Sequence, residues 1–211
     1  MKSTLDLNSS AKEHVNHKIN TNLRMFINRL HSDFPPHWHT DIEIIWPKEA
    51  PYRVVCANES FNVEIDDILL ICPAVIHEIF SPAPGARLYI QAAFSGIITL
   101  KEMDKAFRIM SPALHIRKKT CPPEIYAQLC EYLDKIMVLY FGSAPAIRVT
   151  DDSMDDSLMS VTELEPYHEL EIYSILMQFI ALCTRNIALF KKQNSGASAN
   201  AFTNSIPLSN V

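Results

Sequence analysis

At 211 residues, with 48% hydrophobic and 20% charged side chains, the chain has ordinary globular composition, which excludes wholesale disorder and supplies a core for one or two domains. Its formal net charge of −5 excludes nucleic-acid binding by the field of this chain alone, because phosphate binding needs a basic face. The five cysteines are odd in number and include no CxxC, so reduced buried thiols are expected rather than a disulfide framework or a thiolate zinc site.

Residues 1–22 are polar and rich in Asn, Ser and Lys, and read as an N-terminal arm. They hold no apolar signal-peptide core, and no apolar run approaches the roughly 18 residues of a membrane span, so no membrane partner is expected and the cytoplasm is the natural compartment. From Leu23 the pattern is β. Leu23 to Leu30 is a first strand, broken by Phe34-Pro35-Pro36, since Pro donates no ladder hydrogen bond. A strand over 37–46 follows. Tyr52 to Cys56 and Phe61 to Ile65 flank a hairpin loop, and Asp66-Asp67 is a turn. The apolar run Ile68 to Cys72 is a buried strand, Val75 to Phe80 another, and Arg87 to Phe94 the last of a β unit over 23–98. So many short, closely spaced strands predict a sandwich or small barrel.

The period then turns helical, and 99–192 is a helical region with an acidic loop over 142–163. Thr99 and Glu102 have capping-box spacing. Pro122-Pro123 opens a second helix with the stripe Ile125, Leu129, Leu133, Ile136, Met137 and Tyr140, and Gly142 is placed to stop it. A long helix is expected over 165–192, opened by Pro166. Tyr173, Leu176, Phe179, Ile180, Cys183 and Ile187 give it a stripe wider than one packing surface consumes; the second cover is either the preceding helix or the same helix of another copy, and these six are expected to serve a homodimer interface. Residues 193–211 have linker composition.

The chemistry concentrates in His37-Trp38-His39-Thr40-Asp41-Ile42-Glu43. If this is one strand, His37, His39 and Glu43 project from one face, and Trp38, Ile42, Ile44 and Trp46 from the other as packing. His77 follows the next buried strand. Three imidazoles and a carboxylate could hold a divalent metal (Zn, Ni, Mn or Fe), or could equally line a polar ligand pocket without one. Tyr89, on a flanking strand, is a further candidate for the pocket.

HxHxxxE, an apolar strand and then PxxxH together resemble the cupin barrel, whose metal ligands map by position onto His37, His39, Glu43 and His77. Ala50, Asp66 and Val75 stand where that pattern has Gly, and Ser81 where it often has Asn, departures that tell against an enzyme more than against the fold. FPPHWHTDIEIIW, then DDILLICPAVIHEI and two helices, is similar to the effector-binding and dimerisation domain of AraC-type transcriptional regulators over residues 23–192. The resemblance implies a mainly β fold with C-terminal helices: a cupin-like double-stranded β-helix (jelly-roll) barrel followed by an α-helical dimerisation hairpin. It implies a small-molecule effector such as a sugar, a homodimer, no catalytic residues, and contact with DNA only through a helix-turn-helix domain absent from this chain. A metal-dependent cupin enzyme, an isomerase or oxygenase of a small oxygenated substrate, is the alternative; a bare dimerisation module is a third.

Overall fold

In the computed structural model, described for residues 11–95, 100–142 and 163–192, the strands are β1 (Ala11–Lys12), β2 (Leu23–Asn28), β3 (Phe34–Trp38), β4 (Ile42–Pro47), β5 (Tyr52–Cys56), β6 (Glu59–Val63), β7 (Ile68–Ile71), β8 (His77–Phe80), β9 (Arg87–Ala92) and β10 (Ala113–Ile116). The helices are α1 (Lys101–Met110), α2 (Pro123–Phe141) and α3 (His168–Arg185). Two five-stranded sheets form, in the orders β1-β3-β8-β5-β6 and β10-β7-β4-β9-β2. The acidic run, the 193–211 tail, residues 1–10 and Thr99 lie outside the described residues.

The second sheet has two buried faces, which is why β4, β7 and β9 read as near-continuous apolar runs. Ile42, Ile44, Trp46, Leu88 and Ile90 face the helices, and pack with Leu129, Leu133, Leu176, Phe179 and Ile180. Ile45, Leu69, Ile71 and Tyr89 face the other way, and meet Tyr52, Val54, Cys56 and Ile79 of the first sheet. Glu43, one residue from both Ile42 and Ile44, therefore points between the sheets.

Several expectations are corrected. The strand expected over 37–46 is two strands in different sheets. The chain leaves β3, turns through His39, Thr40 and Asp41, and enters β4. Ala74 N–H donates to the His39 carbonyl across this turn (2.8 Å). Phe34-Pro35-Pro36 does not break the sheet; it is inside β3. The register of β3 against β8 shifts between Phe34 and His37, so the prolines sit at an irregularity where fewer ladder donors are needed. The β unit does not end at 98, because β10, between α1 and α2, pairs with β7. The long helix ends at Arg185 and a separate helical segment covers 187–192. Pro166 precedes it, and Tyr167, with φ 70°, is the N-cap. Leu100, not a capping-box threonine, caps α1, without a side-chain hydrogen bond.

Of the two covers expected for the α3 stripe, the preceding helix supplies one within this chain. Tyr173, Leu176, Phe179, Ile180 and Cys183 are buried inside this one chain, and half-buried Ile187 packs on the same core. Their apolar surface is consumed by α2 and the sheet, and Tyr173 Oη donates to the Asn22 and Ala93 carbonyls. α2 starts and stops as its sequence suggests: Pro123 costs no hydrogen bond in the first turn, and Gly142 takes a left-handed φ of 75° while its N–H returns to Val138 O. Asp66 adopts φ 66° where the cupin pattern has Gly, a conformation that Asp tolerates better than most residues. No helix among the described residues is long and apolar enough to cross a membrane.

Candidate metal and ligand site

His37, His39, Glu43 and His77 converge, each offering one donor atom, with all four atoms within 4.8 Å of one another. Different elements deliver them. His37 on β3 stands opposite His77 on β8 as a cross-strand pair, His39 occupies the turn between sheets, and Glu43 comes from β4 in the facing sheet. Ring centroids are 4.2 Å apart for His37–His77 and 5.1 Å for His39–His77. Three of the four are buried and His37 is half-buried, so the cluster sits just inside one edge of the sandwich.

The hydrogen bonds fix the tautomers. His37 Nδ1 contacts the Pro35 carbonyl at 2.7 Å, His39 Nδ1 the Asp41 carbonyl at 3.2 Å and His77 Nδ1 the Val75 carbonyl at 2.9 Å. A carbonyl only accepts, so each Nδ1 carries the proton and each neutral ring turns an Nε2 lone pair inward. His77 Nε2 is buried with no hydrogen-bond partner, 3.7 Å from Glu43 Oε2. His39 Nε2 lies 2.8 Å from the same oxygen. Three lone pairs facing one buried carboxylate repel unless positive charge lies among them, and the orphaned Nε2 of His77 is the atom a cation would satisfy. The donor set therefore fits a divalent transition metal. His37, His39, His77 and Glu43 would hold it, and it would supply a Lewis-acidic position for an oxygen ligand.

Protons supply the positive charge otherwise. Burial opposes ionisation of His39, but the hydrogen bond and charge of Glu43, with the Glu13 and Asp41 charges, outweigh it and raise the His39 pKa. Burial alone would push Glu43 up; the His39 hydrogen bond and the charges of His39 and His77 outweigh it and hold the carboxyl well below its usual range. Burial and the neighbouring His77 lower His37.

Beyond the four predicted donors lies a shell that sequence reasoning missed. Gln91 on β9, opposite Glu43, donates from Nε2 to Glu43 Oε2 (3.0 Å), and its Oε1 accepts from Arg24 (3.3 Å). Glu13, just after β1, approaches His37 Nε2 at 3.5 Å and His39 Nε2 at 4.0 Å. His17 meets buried Asp41 at 2.6 Å. No periodicity marks these residues, and only long-range pairing brings them here. Tyr89 is fully buried between the sheets, stacked on Phe26 at 4.6 Å and close to Tyr52, and burial raises its pKa well above the usual value. It lines the interior beyond the donors rather than joining them. A cleft of about 290 Å³ lies on the opposite, helix-facing side, lined by Trp46, Lys48, Asp66, Lys118 and Tyr126 and by none of the four donors.

No protein-family model and no curated protein matches the chain. Similar solved structures include an RmlC-like cupin from Shewanella frigidimarina NCIMB 400, with 14% identity over 39% of this chain and 86% of that one at a TM-score of 0.30. Another is an RmlC-like cupin family protein with a double-stranded β-helix fold from Methanocaldococcus jannaschii, with 11% identity over 39% of this chain and 83% of that one at a TM-score of 0.32. A single-residue variant of apo ToxT from Vibrio cholerae strain SCE256 aligns over 92% of this chain and 62% of that one, with 10% identity and a TM-score of 0.40. Among the described residues the chain is β-rich, with two five-stranded sheets and helices packed on one of them.

Proposed function

We propose that the chain is the effector-sensing and dimerisation domain of an AraC-type transcriptional regulator, and that its β unit is a cupin barrel binding a divalent metal at His37, His39, Glu43 and His77. The observation that carries this reading is the inward convergence of three Nε2 atoms on buried Glu43, with His77 Nε2 unpartnered. A small oxygenated metabolite would take the remaining metal position, with Tyr52 and Tyr89 as walls farther in. Binding shifts the arrangement of arm and helices only if the two arrangements differ in affinity for that metabolite. DNA would be read by a separate helix-turn-helix domain, and the net charge of −5 suits the sensing half.

The second copy in the proposed dimer would sit on the outer groove between α2 and α3. This space of about 740 Å³ is lined by Val138, Leu139 and Ile175, with Glu131, Asp134 and Lys135 alongside. Val138 is 45% exposed, whereas the α3 stripe is used inside the chain.

The test is metal content and ligand response. Purified protein is expected to bind about one equivalent of Mn, Fe, Ni or Zn. The variants His37→Ala and His77→Ala should lose it, and a metabolite screen should raise the melting temperature only of metal-loaded protein. Wild-type protein that stays metal-free after incubation with all four ions would sink the metal reading. Turnover of a bound metabolite by the loaded chain would move it to the enzyme alternative.

A further inference from the structure

We propose that Glu13, carried by the N-terminal arm, is a fifth metal ligand, so that the site is completed by a segment that docks onto the sheet rather than by the sheets alone. The inference rests on the metal reading above and extends it to a residue outside the His-His-Glu-His pattern.

Three observations place Glu13 there. The arm is fixed by backbone pairing: β1 runs parallel to β3 with Ala11 opposite His37 and Lys12 opposite Trp38, and Glu13 N–H donates to the Trp38 carbonyl at 2.9 Å. This register sets the Glu13 side chain beside the donors. Its Oε2 is 3.5 Å from His37 Nε2 and 4.0 Å from His39 Nε2, both outside hydrogen-bond range for a well-formed contact. Two donors each about 2.1 Å from one small cation lie roughly 3 to 4.2 Å apart, so this spacing matches ligands sharing an ion better than a direct bond. The other Glu13 oxygen, Oε1, faces Arg24 at 3.5 Å, and Arg24 also reaches Gln91, which holds Glu43. Arg24 thus lies between Glu13 and the amide that holds Glu43.

Charge points the same way. The Glu13 side chain is only 31% exposed and stands beside a site that already contains buried Glu43. Two carboxylates repel across such a site, and Arg24 neutralises only part of that. A divalent cation between the imidazoles would convert the second carboxylate from a repulsive neighbour into a ligand. It would also tilt the donor set from three nitrogens and one oxygen toward harder ions, Mn and Fe over Zn. One coordination position fewer is left for an outside ligand, so a chelating oxygen ligand must displace Glu13 to bind through both its atoms.

The experiment is a Co²⁺ titration by chelator competition on the full chain, comparing wild type with Glu13→Gln and Glu13→Ala. Both variants are expected to bind Co²⁺ about 10-fold or more weakly. Acetohydroxamate, as a two-oxygen probe, is expected to bind Co²⁺-loaded Glu13→Gln more tightly than the loaded wild type, because no ligand has to leave. A Glu13 that only anchors the arm would lower the melting temperature of metal-free protein and leave Co²⁺ affinity and probe affinity unchanged; that result overturns the proposal while the four-residue site stands. Failure of the wild type to take up Co²⁺ overturns the metal reading, and the fifth ligand with it.

Discussion

Gln91 sets how well Glu43 could serve as the ligand proposed for it. A carboxylate buried at 1% exposure, with a free torsion, would spread its charge over several orientations. The Gln91 amide donates to Oε2, and Arg24 fixes the amide from its other end, so the carboxylate is held toward the imidazoles. Gln91→Leu keeps the volume and removes the donor. Metal affinity is expected to fall about 10- to 100-fold, with the fold retained, as measured by chelator competition and far-UV circular dichroism. Unchanged affinity would show that Glu43 needs no orienting partner. Three of the four clustered side chains were legible in sequence from residue type and short spacing, and His77 from its place after the next buried strand, yet the geometry behind that reading was wrong. His37, His39 and Glu43 do not share a face of one strand; the chain turns between sheets at Thr40-Asp41 and folds the donors together. Glu13, Arg24 and Gln91 were illegible because each reaches the site through pairing partners far away in sequence, β1 with β3, β2 with β9 and β9 with β4.

The Asp66-Asp67 turn is the element that joins the sheet to the helical layer. Asp66 accepts from Lys48 beyond β4 at 2.6 Å and from Lys118 beyond β10 at 2.8 Å, and its carbonyl accepts from Tyr126 Oη on α2. Asp67 accepts from His115 Nε2 and from the Lys118 N–H. Burial alone would raise the Asp66 pKa, but the hydrogen bonds and charges of Lys118 and Lys48 outweigh it and lower it. A carboxyl lowered on folding adds stability above its unfolded pKa of about 3.9 and loses it as pH falls through the lower folded value. Asp66→Asn removes the charge while keeping a residue that tolerates φ 66°. It is expected to cost up to about 1 kcal/mol at pH 7, since Lys118 is half exposed to solvent. The gap to wild type should close as pH drops below about 4, read from urea midpoints across pH. A gap that widens in acid would reverse the sign and the explanation. Sequence marked this stretch as a turn through its paired aspartates; β10, which it bridges to, was missed because four residues between two helices carry too little alternation to be read as a strand.

For the whole molecule, the question is which apolar surface remains once the chain has covered itself. The wide stripe of α3 suggested an interface, since a helix apolar on most sides needs more than one cover. Sheet, α2 and the 187–192 segment together supply that cover, with Leu176, Phe179 and Phe190 fully buried in one core. Part of what is left, beside scattered exposed side chains such as Leu30, Leu100 and Leu170, lies along the outer junction of α2 and α3, where Val138 is exposed beside Leu139 and Ile175, and acidic and basic side chains flank the groove. Such a strip is self-complementary about a two-fold axis if the Lys135 of one copy approaches Glu131 or Asp134 of the other. Val138→Glu places a charge in the middle of that strip and touches no buried side of α2. It is expected to leave the melting temperature within about 1 °C, as surface substitutions do, and to shift sedimentation from dimer to monomer at micromolar concentration. A substitution at buried Leu176 behaves differently: Leu176→Ala should cost about 2–5 kcal/mol in the monomer itself. If Val138→Glu leaves a dimer intact, the two copies meet elsewhere, and the groove is only the solvent side of a helical layer whose apolar work is done within one chain.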